Sequence, residues 1–168
     1  MKKLKLMPVV GVFVLGFTIS SFGQVELPEI EVTAVNYKYL NSANMEEEAE
    51  PVRRLQLEAA AFDVQNSDFY QDEYDFYYVS FFIPEGKILA SYDKDGQLLR
   101  TAEKFKNVEV PKAVRESVAK RFPQWVISKD VYLVNYHDEK GSKKTYKLLL
   151  ENGNKRLKVK TDENGEFL

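Results

Sequence analysis

The chain has 168 residues, a formal net charge of −2, an apolar fraction of 44% and a charged fraction of 30%. These proportions are ordinary for a globular protein with a buried core, and the length suggests one domain or two small ones. The sequence contains no Cys, which excludes disulfide bonds and a lipid anchor attached through Cys. Ten Tyr and eleven Phe favour β-strands, because aromatic side chains fit a half-buried pleated surface.

The N-terminal residues 1–23 have the pattern of a secretory signal peptide. Three Lys among the first five residues precede the uncharged stretch LMPVVGVFVLGF, which is short for a membrane span. Ser21 and Gly23 are the small residues expected before a cleavage site, which we place between Gly23 and Gln24. The sequence therefore predicts export to the periplasm or out of the cell, with an uncleaved N-terminal anchor as the alternative.

The charge of the predicted mature chain bears on its partners. Cleavage removes three Lys and no acidic residue, so the net charge falls from −2 to −5. Phosphate binding requires a basic face, and anionic lipids attract polybasic segments. We therefore expect neither a nucleic-acid partner nor membrane association after signal cleavage.

Residues 24–50 are predicted to form an extended N-terminal segment and an acidic loop. QVELPEIEVTAVNYKYL alternates loosely, as an edge strand does, and NSANMEEEAEP then breaks the pattern. A helix is predicted from about Pro51 to Asp63, because Pro fits the first helical turn. The apolar residues that form one stripe on this helix are Val52, Leu55, Ala59 and Phe62.

Strands and a second helix follow. YYVSFFI is apolar on both faces, which predicts an interior strand, and KILASY is the next strand. A second helix begins at Pro111 and ends before Pro123, since Pro disfavours helical geometry in the residue before it. WVISKDVYLVNY, TYKLLL and KRLKVK are then predicted strands that are joined by turns.

Two parts of the chain can be aligned with each other. YYVSFFIPEGKILASYDKDGQLL matches TYKLLLENGNKRLKVKTDENGEFL when Tyr78 is placed on Tyr146, and each copy follows a helix with Pro at its start. The predicted fold is α+β. Two helix-plus-antiparallel-hairpin half-repeats, residues 51–105 and 106–168, form an antiparallel sheet with helices on one face.

Each copy contains an Asp-x-x-Gly segment, which begins at Asp93 and at Asp162. A calcium loop of the EF-hand type needs oxygen ligands at positions 1, 3 and 5 and a Glu at position 12. Counted from Asp93, position 5 is Gln97 and position 12 is Lys104, and the second copy ends before position 12. Asp and Gly are the residues that tight turns require, so we predict turns without a metal or other cofactor.

The helix VPKAVRESVAKRFPQW, the strand pair YLVNY…TYKLLL and the closing VKTDENGEFL resemble the PepSY-like family of small exported bacterial proteins. That family is related in fold to the β-lactamase-inhibitor-protein repeat, and the resemblance covers about residues 52–168. It implies an exported, non-enzymatic α+β module that binds or restrains a secreted hydrolase, especially a peptidase. It assigns no functional residue.

Catalytic motifs are scarce. His137 is the single His and lies in a polar turn, without the further His or Cys ligands that a zinc site needs. No Gly-x-Ser-x-Gly elbow is present. We therefore expect His137 to be an exposed turn residue and the protein not to be an enzyme.

Acidic and aromatic residues interleave between Asp68 and Asp75. Rings stack on sugars and carboxylates accept their hydroxyl protons, so the stretch is a candidate site for a glycan or small ligand, or less readily for a hydrolase. The alternative is a charged strand entering the sheet. Large aromatic residues elsewhere could anchor a partner or be buried. The candidate binding residues are Tyr70, Asp72, Tyr74, Asp75, Trp125, Tyr132 and Tyr136.

Lys residues recur between positions 140 and 160, on turns and on the polar side of strands, which is typical of a solvated face or of a dock for an acidic partner. They are Lys140, Lys143, Lys144, Lys147, Lys155, Lys158 and Lys160. We predict an exported binding module with a protein partner. The alternatives are the ligand or glycan binder that uses residues 68–75, and a purely structural protein of the envelope.

Overall fold

The computed structural model describes residues 36–44 and 48–168. The predicted signal peptide and its cleavage site at Gly23 and Gln24 lie outside these residues. The helices are α1 (Tyr37–Ala43), α2 (Glu50–Ala61) and α3 (Lys112–Arg121). The strands are β1 (Phe76–Ile83), β2 (Gly86–Asp93), β3 (Leu98–Lys106), β4 (Val126–His137), β5 (Gly141–Asn152) and β6 (Lys155–Thr161). Within the described ranges, no helix has the length and apolarity needed to cross a membrane.

The six strands form one antiparallel sheet in the order β1-β2-β3-β4-β5-β6. Each strand pairs with the next strand along the chain, and this includes β3 and β4, between which α3 lies in the sequence. A helix followed by three strands occurs twice, as α2 with β1 to β3 and as α3 with β4 to β6. The predicted α+β class with an antiparallel sheet is thus confirmed. Each longer helix precedes three strands rather than a two-stranded hairpin.

The helices pack on one side of the sheet, which we term the covered face. It is the side toward which Phe81, Ile88, Phe105, Tyr132 and Leu148 point. These residues form one hydrophobic cluster with Leu55 of α2 and Val114 of α3. The other side, the open face, is that of Tyr78, Leu89, Lys104, Leu133 and Lys147. No helix among the described residues packs on it.

Helices α2 and α3 begin near Pro residues, as predicted. Pro51 is in the first turn of α2, and Pro111 is the residue that precedes α3. Val114 and Val118 of α3 are buried, and the N–H of Phe122 closes the helix by donating to the Val118 carbonyl at 2.8 Å. Both helices follow from local signals and one apolar stripe.

Helix α1 corrects the prediction of an extended segment at residues 37–40, and residues 24–35 of that predicted segment lie outside the described residues. It has seven residues and no side-chain cap at its N terminus, so its local signals are weak. Tertiary hydrogen bonds hold it instead. Asn36 Nδ2 donates to the Ala60 carbonyl at 3.0 Å, and Tyr39 Oη donates to Glu103 Oε1 at 2.7 Å.

The two Asp-x-x-Gly segments are tight turns with the same internal hydrogen bonds. In each, the Asp Oδ1 accepts from the backbone N–H groups two and four residues later, at 3.0 and 2.8 Å. Gly96 and Gly165 have φ angles of 81° and 83°, which favour Gly. Among the residues described, no group of three or more His, Cys, Asp or Glu could hold a metal ion. The prediction that both segments are tight turns is confirmed, and the expected absence of a metal or cofactor stays a prediction.

The two outer strands of the sheet differ. β1, with the sequence FYYVSFFI, has no charged residue, whereas β6, KRLKVKT, has four basic residues. Basic residues on an outer strand discourage pairing with another sheet. The C-terminal segment also pairs with the end of β6, through a bridge between Thr161 and Phe167. The prediction that β1 is an interior strand is wrong, because β1 is at one end of the sheet and pairs with β2 alone among the described strands.

Candidate binding surface on the open face

Basic side chains dominate the open face. The strand register places ten exposed Lys and Arg residues there, contributed by all strands except β1: Lys87, Arg100, Lys104, Lys106, Lys129, Lys143, Lys147, Arg156, Lys158 and Lys160. Two acidic residues of the strands share this side of the sheet, and both are engaged. Asp93 caps its own turn, and Glu151 lies 3.0 Å from the Arg156 guanidinium. The open face therefore has a large excess of positive charge.

Two pairs of Lys face each other directly across neighbouring strands. Lys87 is opposite Lys104, and Lys147 is opposite Lys160. Like charges in this position destabilise a sheet. Within residues 36–44 and 48–168 none of these four Lys forms an ion pair. The chain thus keeps an unfavourable charge arrangement on this surface.

Large apolar side chains lie exposed at one border of the open face. Phe76, Tyr78 and Phe82 of β1 are 57%, 74% and 67% exposed, and Leu89 of β2 is 47% exposed. Alternate residues of a strand share a side, so the three β1 residues form one row. Contiguous exposed apolar surface is typical of an interaction site.

A groove of about 730 Å³ crosses the open face next to this row. Phe76 and Tyr78 line one side, and His137 and Lys143 line the other. Small residues such as Ala102 lie between them. Four strand-to-strand steps of about 4.8 Å separate β1 from β5, so the groove is roughly 19 Å wide. An aromatic side and a cationic side therefore face each other across a shallow floor.

His137 is at the C-terminal end of β4 and is half-buried rather than fully exposed in a turn. Its Nδ1 atom lies 2.9 Å from Asp138 Oδ1 and accepts a hydrogen bond from the Glu139 N–H at 3.2 Å. Beside this contact with Asp138, His137 forms part of one side of the groove.

The acidic-aromatic stretch 68–75 consists of turns that precede β1. The Tyr70 ring stacks on Tyr77 at 5.4 Å between centroids, and Tyr74 meets Tyr77 edge-on at 6.4 Å. Desolvation raises the pKa of Tyr70, with a smaller contribution from Asp72. Asp72 and Asp75 are exposed, and no residue of the stretch lines the groove. The structure thus brings Tyr70 and Tyr74 together, and a ligand role for the stretch stays a prediction.

Tyr132 and Tyr136 are buried and point toward the helices. The Tyr132 ring stacks on Tyr146, with 4.4 Å between centroids and 11° between planes. Burial raises the pKa of Tyr132 far above its ordinary value. Tyr136 meets Tyr39 of α1 at 5.0 Å. Trp125 is half-buried against the core. The side chains of Tyr132 and Tyr136 are thus on the covered face, opposite the row of exposed aromatic side chains on β1.

A buried carboxylate, Glu103, lies on the covered face. It accepts hydrogen bonds from Tyr39 Oη at 2.7 Å, Thr101 Oγ1 at 2.6 Å and Gln56 Nε2 at 2.9 Å. Burial raises the pKa of Glu103 in spite of these donors. Gln56 Oε1 has no hydrogen-bond partner in the described part of the chain. Glu103 is 3% exposed, so its role is to hold α1 and α2 on the sheet.

A buried charge pair joins Lys144 of β5 to Glu48, which precedes α2. The Nζ and Oε1 atoms are 2.7 Å apart, and the side chains are 10% and 4% exposed. Lys144 also donates to the Ala43 carbonyl at 2.6 Å, and Tyr132 donates to Glu48. Lys144 therefore does not belong to the solvated side on which the sequence placed it, because the pleat turns it toward the helices.

The sequence identified part of the basic surface. It singled out Lys143, Lys147, Lys158 and Lys160, but it missed the basic residues of β2 and β3 and the exposed Phe82. The two-residue spacing of Lys104 and Lys106 was a usable signal, since it repeats that of Lys158 and Lys160. The open face also contradicts the premise that a mildly acidic chain lacks a basic face. The expected absence of nucleic-acid and lipid partners stays a prediction, but the net charge of the chain no longer supports it.

Comparisons with protein-family models, curated proteins and solved structures found no match for this chain.

Proposed function

We propose that the protein is an exported, non-enzymatic binding module that engages another protein through the open face of its sheet. The observation that carries this proposal is the asymmetry of the sheet. Helices cover one face, and the other presents the row Phe76, Tyr78 and Phe82 beside Lys residues that lack ion-pair partners. Exposed apolar patches with polar rims are typical of protein–protein sites.

We further infer that residues 51–105 and 106–168 are two half-repeats, each with a helix and three strands. The matching hydrogen bonds of the turns at Asp93 and Asp162 support this division. The halves contribute differently to the surface, since the first supplies the exposed aromatic row and the second supplies seven of the ten basic residues. Membership of the PepSY-like family, and a secreted peptidase as the partner, stay hypotheses.

Site-specific photo-crosslinking in the producing cell tests the proposal. A photoreactive residue replaces Ser80, which is exposed on the open face between Tyr78 and Phe82. The matched control replaces Glu58, which is exposed on α2. We expect one stoichiometric protein adduct in the exported fraction with the probe at Ser80 and none with the probe at Glu58.

Two outcomes contradict the proposal. An adduct formed only from Glu58 assigns the interaction to the helices. The absence of an adduct from either position, with both variants folded and exported at normal levels, removes the protein partner.

A further inference from the structure

The chemistry of the open face indicates what kind of partner it fits. Resting on the function proposed above, we propose that the partner contacts the open face through an acidic peptide segment, which places carboxylates over the Lys residues and an apolar end on the β1 row. The basic surface and the aromatic row are then two parts of one site.

Charge complementarity is the first support. The open face has ten cations and two acidic residues that are already engaged, so its charge is neutralised only from outside the described residues. The opposed pairs Lys87–Lys104 and Lys147–Lys160 repel each other while the face is free. Carboxylates between the members of each pair convert that repulsion into attraction. The Lys–Lys repulsion that destabilises the free protein therefore favours the binding of an acidic partner.

The spacing of the cations fits an extended peptide. Lys104 and Lys106, and likewise Lys158 and Lys160, are two residues apart on their strands, which is about 6.8 Å. Side chains on the same side of an extended peptide have the same spacing of about 6.8 Å. An extended segment with an acidic residue at every second position can therefore match the Lys residues of one strand in register.

The shape of the sheet argues against a membrane as the occupant. Adjacent strands in a sheet rotate by about 20° to 25°, so the first and last of six strands differ by roughly 100° or more. A planar bilayer contacts only part of such a surface at one time. A peptide can follow the twist.

The separation of rings and charges argues against a nucleic acid. Single-strand binding sites stack bases on aromatic rings beside the basic residues that contact the backbone. On the open face, the exposed rings lie on β1, whereas six of the ten cations lie on β4, β5 and β6. Those strands are three or more steps of about 4.8 Å from β1, so bases that stack on the row do not lie beside most of the cations.

The test is a binding titration with a defined probe. The probe is a fluorescein-labelled synthetic peptide with a Leu-Phe end followed by alternating Glu and Ser, and fluorescence anisotropy follows its binding to the mature protein. The matched probe has Gln in place of every Glu. The protein variants are Lys147→Gln/Lys160→Gln on the open face and, as a charge-matched control, Lys38→Gln/Lys120→Gln on the exposed sides of α1 and α3.

We expect the acidic peptide to bind and the Gln peptide not to bind. The affinity falls as salt rises, because exposed charges are screened. Lys147→Gln/Lys160→Gln weakens binding by roughly three- to tenfold, and the control double variant leaves it unchanged. Thermal unfolding keeps the result interpretable. We expect Lys147→Gln/Lys160→Gln to unfold at a temperature no lower than that of the parent protein, because the substitution removes a repulsion. Weaker binding by this variant then does not result from unfolding.

Other outcomes overturn the inference. The inference is wrong if the acidic peptide does not bind at low salt, or if the Gln peptide binds equally well. Tighter binding to a thymidine oligonucleotide or to phosphatidylglycerol vesicles, lost in Lys147→Gln/Lys160→Gln, assigns the face to nucleic acid or lipid. If the peptide fails while the adduct at Ser80 forms, only the acidic partner is excluded. If both fail, the proposed function falls as well.

Discussion

The two faces of the sheet differ in how they hold charge. On the covered face, Glu103 accepts three hydrogen bonds, and Lys144 is paired with Glu48 at 2.7 Å. On the open face, Lys residues stand opposite one another without acidic partners. Lys143 and Lys144 are neighbours in sequence and belong to different faces. The comparison teaches that the same residue type is structural on one side of the pleat and free for a partner on the other.

The largest expected effect separates these two neighbours. Lys144→Ala leaves Glu48 buried without its cation, so we expect it to lower the free energy of unfolding by about 3 kcal/mol. Lys143→Ala removes an exposed charge and should change it by less than about 0.5 kcal/mol. Urea unfolding of both variants measures the difference. Equal destabilisation would contradict the division into two faces.

The turns at Gly96 and Gly165 have the same hydrogen bonds but differ in whether a helix packs against them. Gly165 faces α3, and a Cβ added there lies 2.6 Å from Ser117 Oγ and 2.7 Å from the Ala113 carbonyl oxygen. A Cβ added at Gly96 meets nothing within 4 Å. Gly96→Ala therefore has only the cost of a positive φ, about 1 kcal/mol, whereas Gly165→Ala should cost about 2 kcal/mol.

Thermal and urea unfolding of the two Gly variants test this. If they are equally unstable, the helix does not constrain the second turn.

A third expected effect is a pH dependence from the covered face. The pKa of Glu103 is raised in the folded protein by burial, so the folded state binds its proton more tightly than the unfolded state does. The stability from this group is therefore full below the ordinary Glu pKa of about 4.3 and is lost as pH rises through the raised value.

Glu103→Gln removes that loss, and the new amide can donate to Gln56 Oε1, which lacks a partner among the described residues. We expect the parent to lose stability relative to the Glu103→Gln variant as pH rises from about 4 to 8. Urea unfolding across this range measures it. A difference that is constant with pH would show that Glu103 is not the titrating group.

The smallest expected effect belongs to the open face. Lys104→Glu replaces the Lys87–Lys104 repulsion by an attraction and should stabilise the fold by about 0.5 kcal/mol at low salt. Lys106→Glu faces Val131 and is the control, with a smaller gain. High salt should remove the difference between the two. Destabilisation by Lys104→Glu would contradict the account of an unrelieved Lys pair.

The sequence predicted the elements whose determinants are local. Pro51 and Pro111 mark the starts of α2 and α3, and the Asp and Gly of each turn form bonds within that turn. Helix α1 was not predicted, because it depends on the distant partners Ala60 and Glu103. β1 was misplaced as an interior strand because an apolar pattern on both sides does not show whether a strand has neighbours at both edges or lies at the end of the sheet.

The basic surface needed more than a pattern along the chain. Lys87 and Lys147 meet their opposite Lys residues only through the register of β2 with β3 and of β5 with β6. A run of Lys also mixes the two faces, as Lys143 and Lys144 do, until the strand boundaries are known. The basic surface is therefore formed by strand pairing, and the spacing of Lys residues along the sequence predicts only part of it.

The unequal outer strands limit how copies of this chain can assemble. Sheets of separate molecules join when two unprotected strand edges meet, and a chain with one such edge can make one such contact. Since β6 is charged and partly closed by the C-terminal bridge, β1 has the one unprotected sheet edge in the described part of the chain, and pairing through that edge joins two molecules. Pairing of sheet edges between copies therefore does not extend into a fibre.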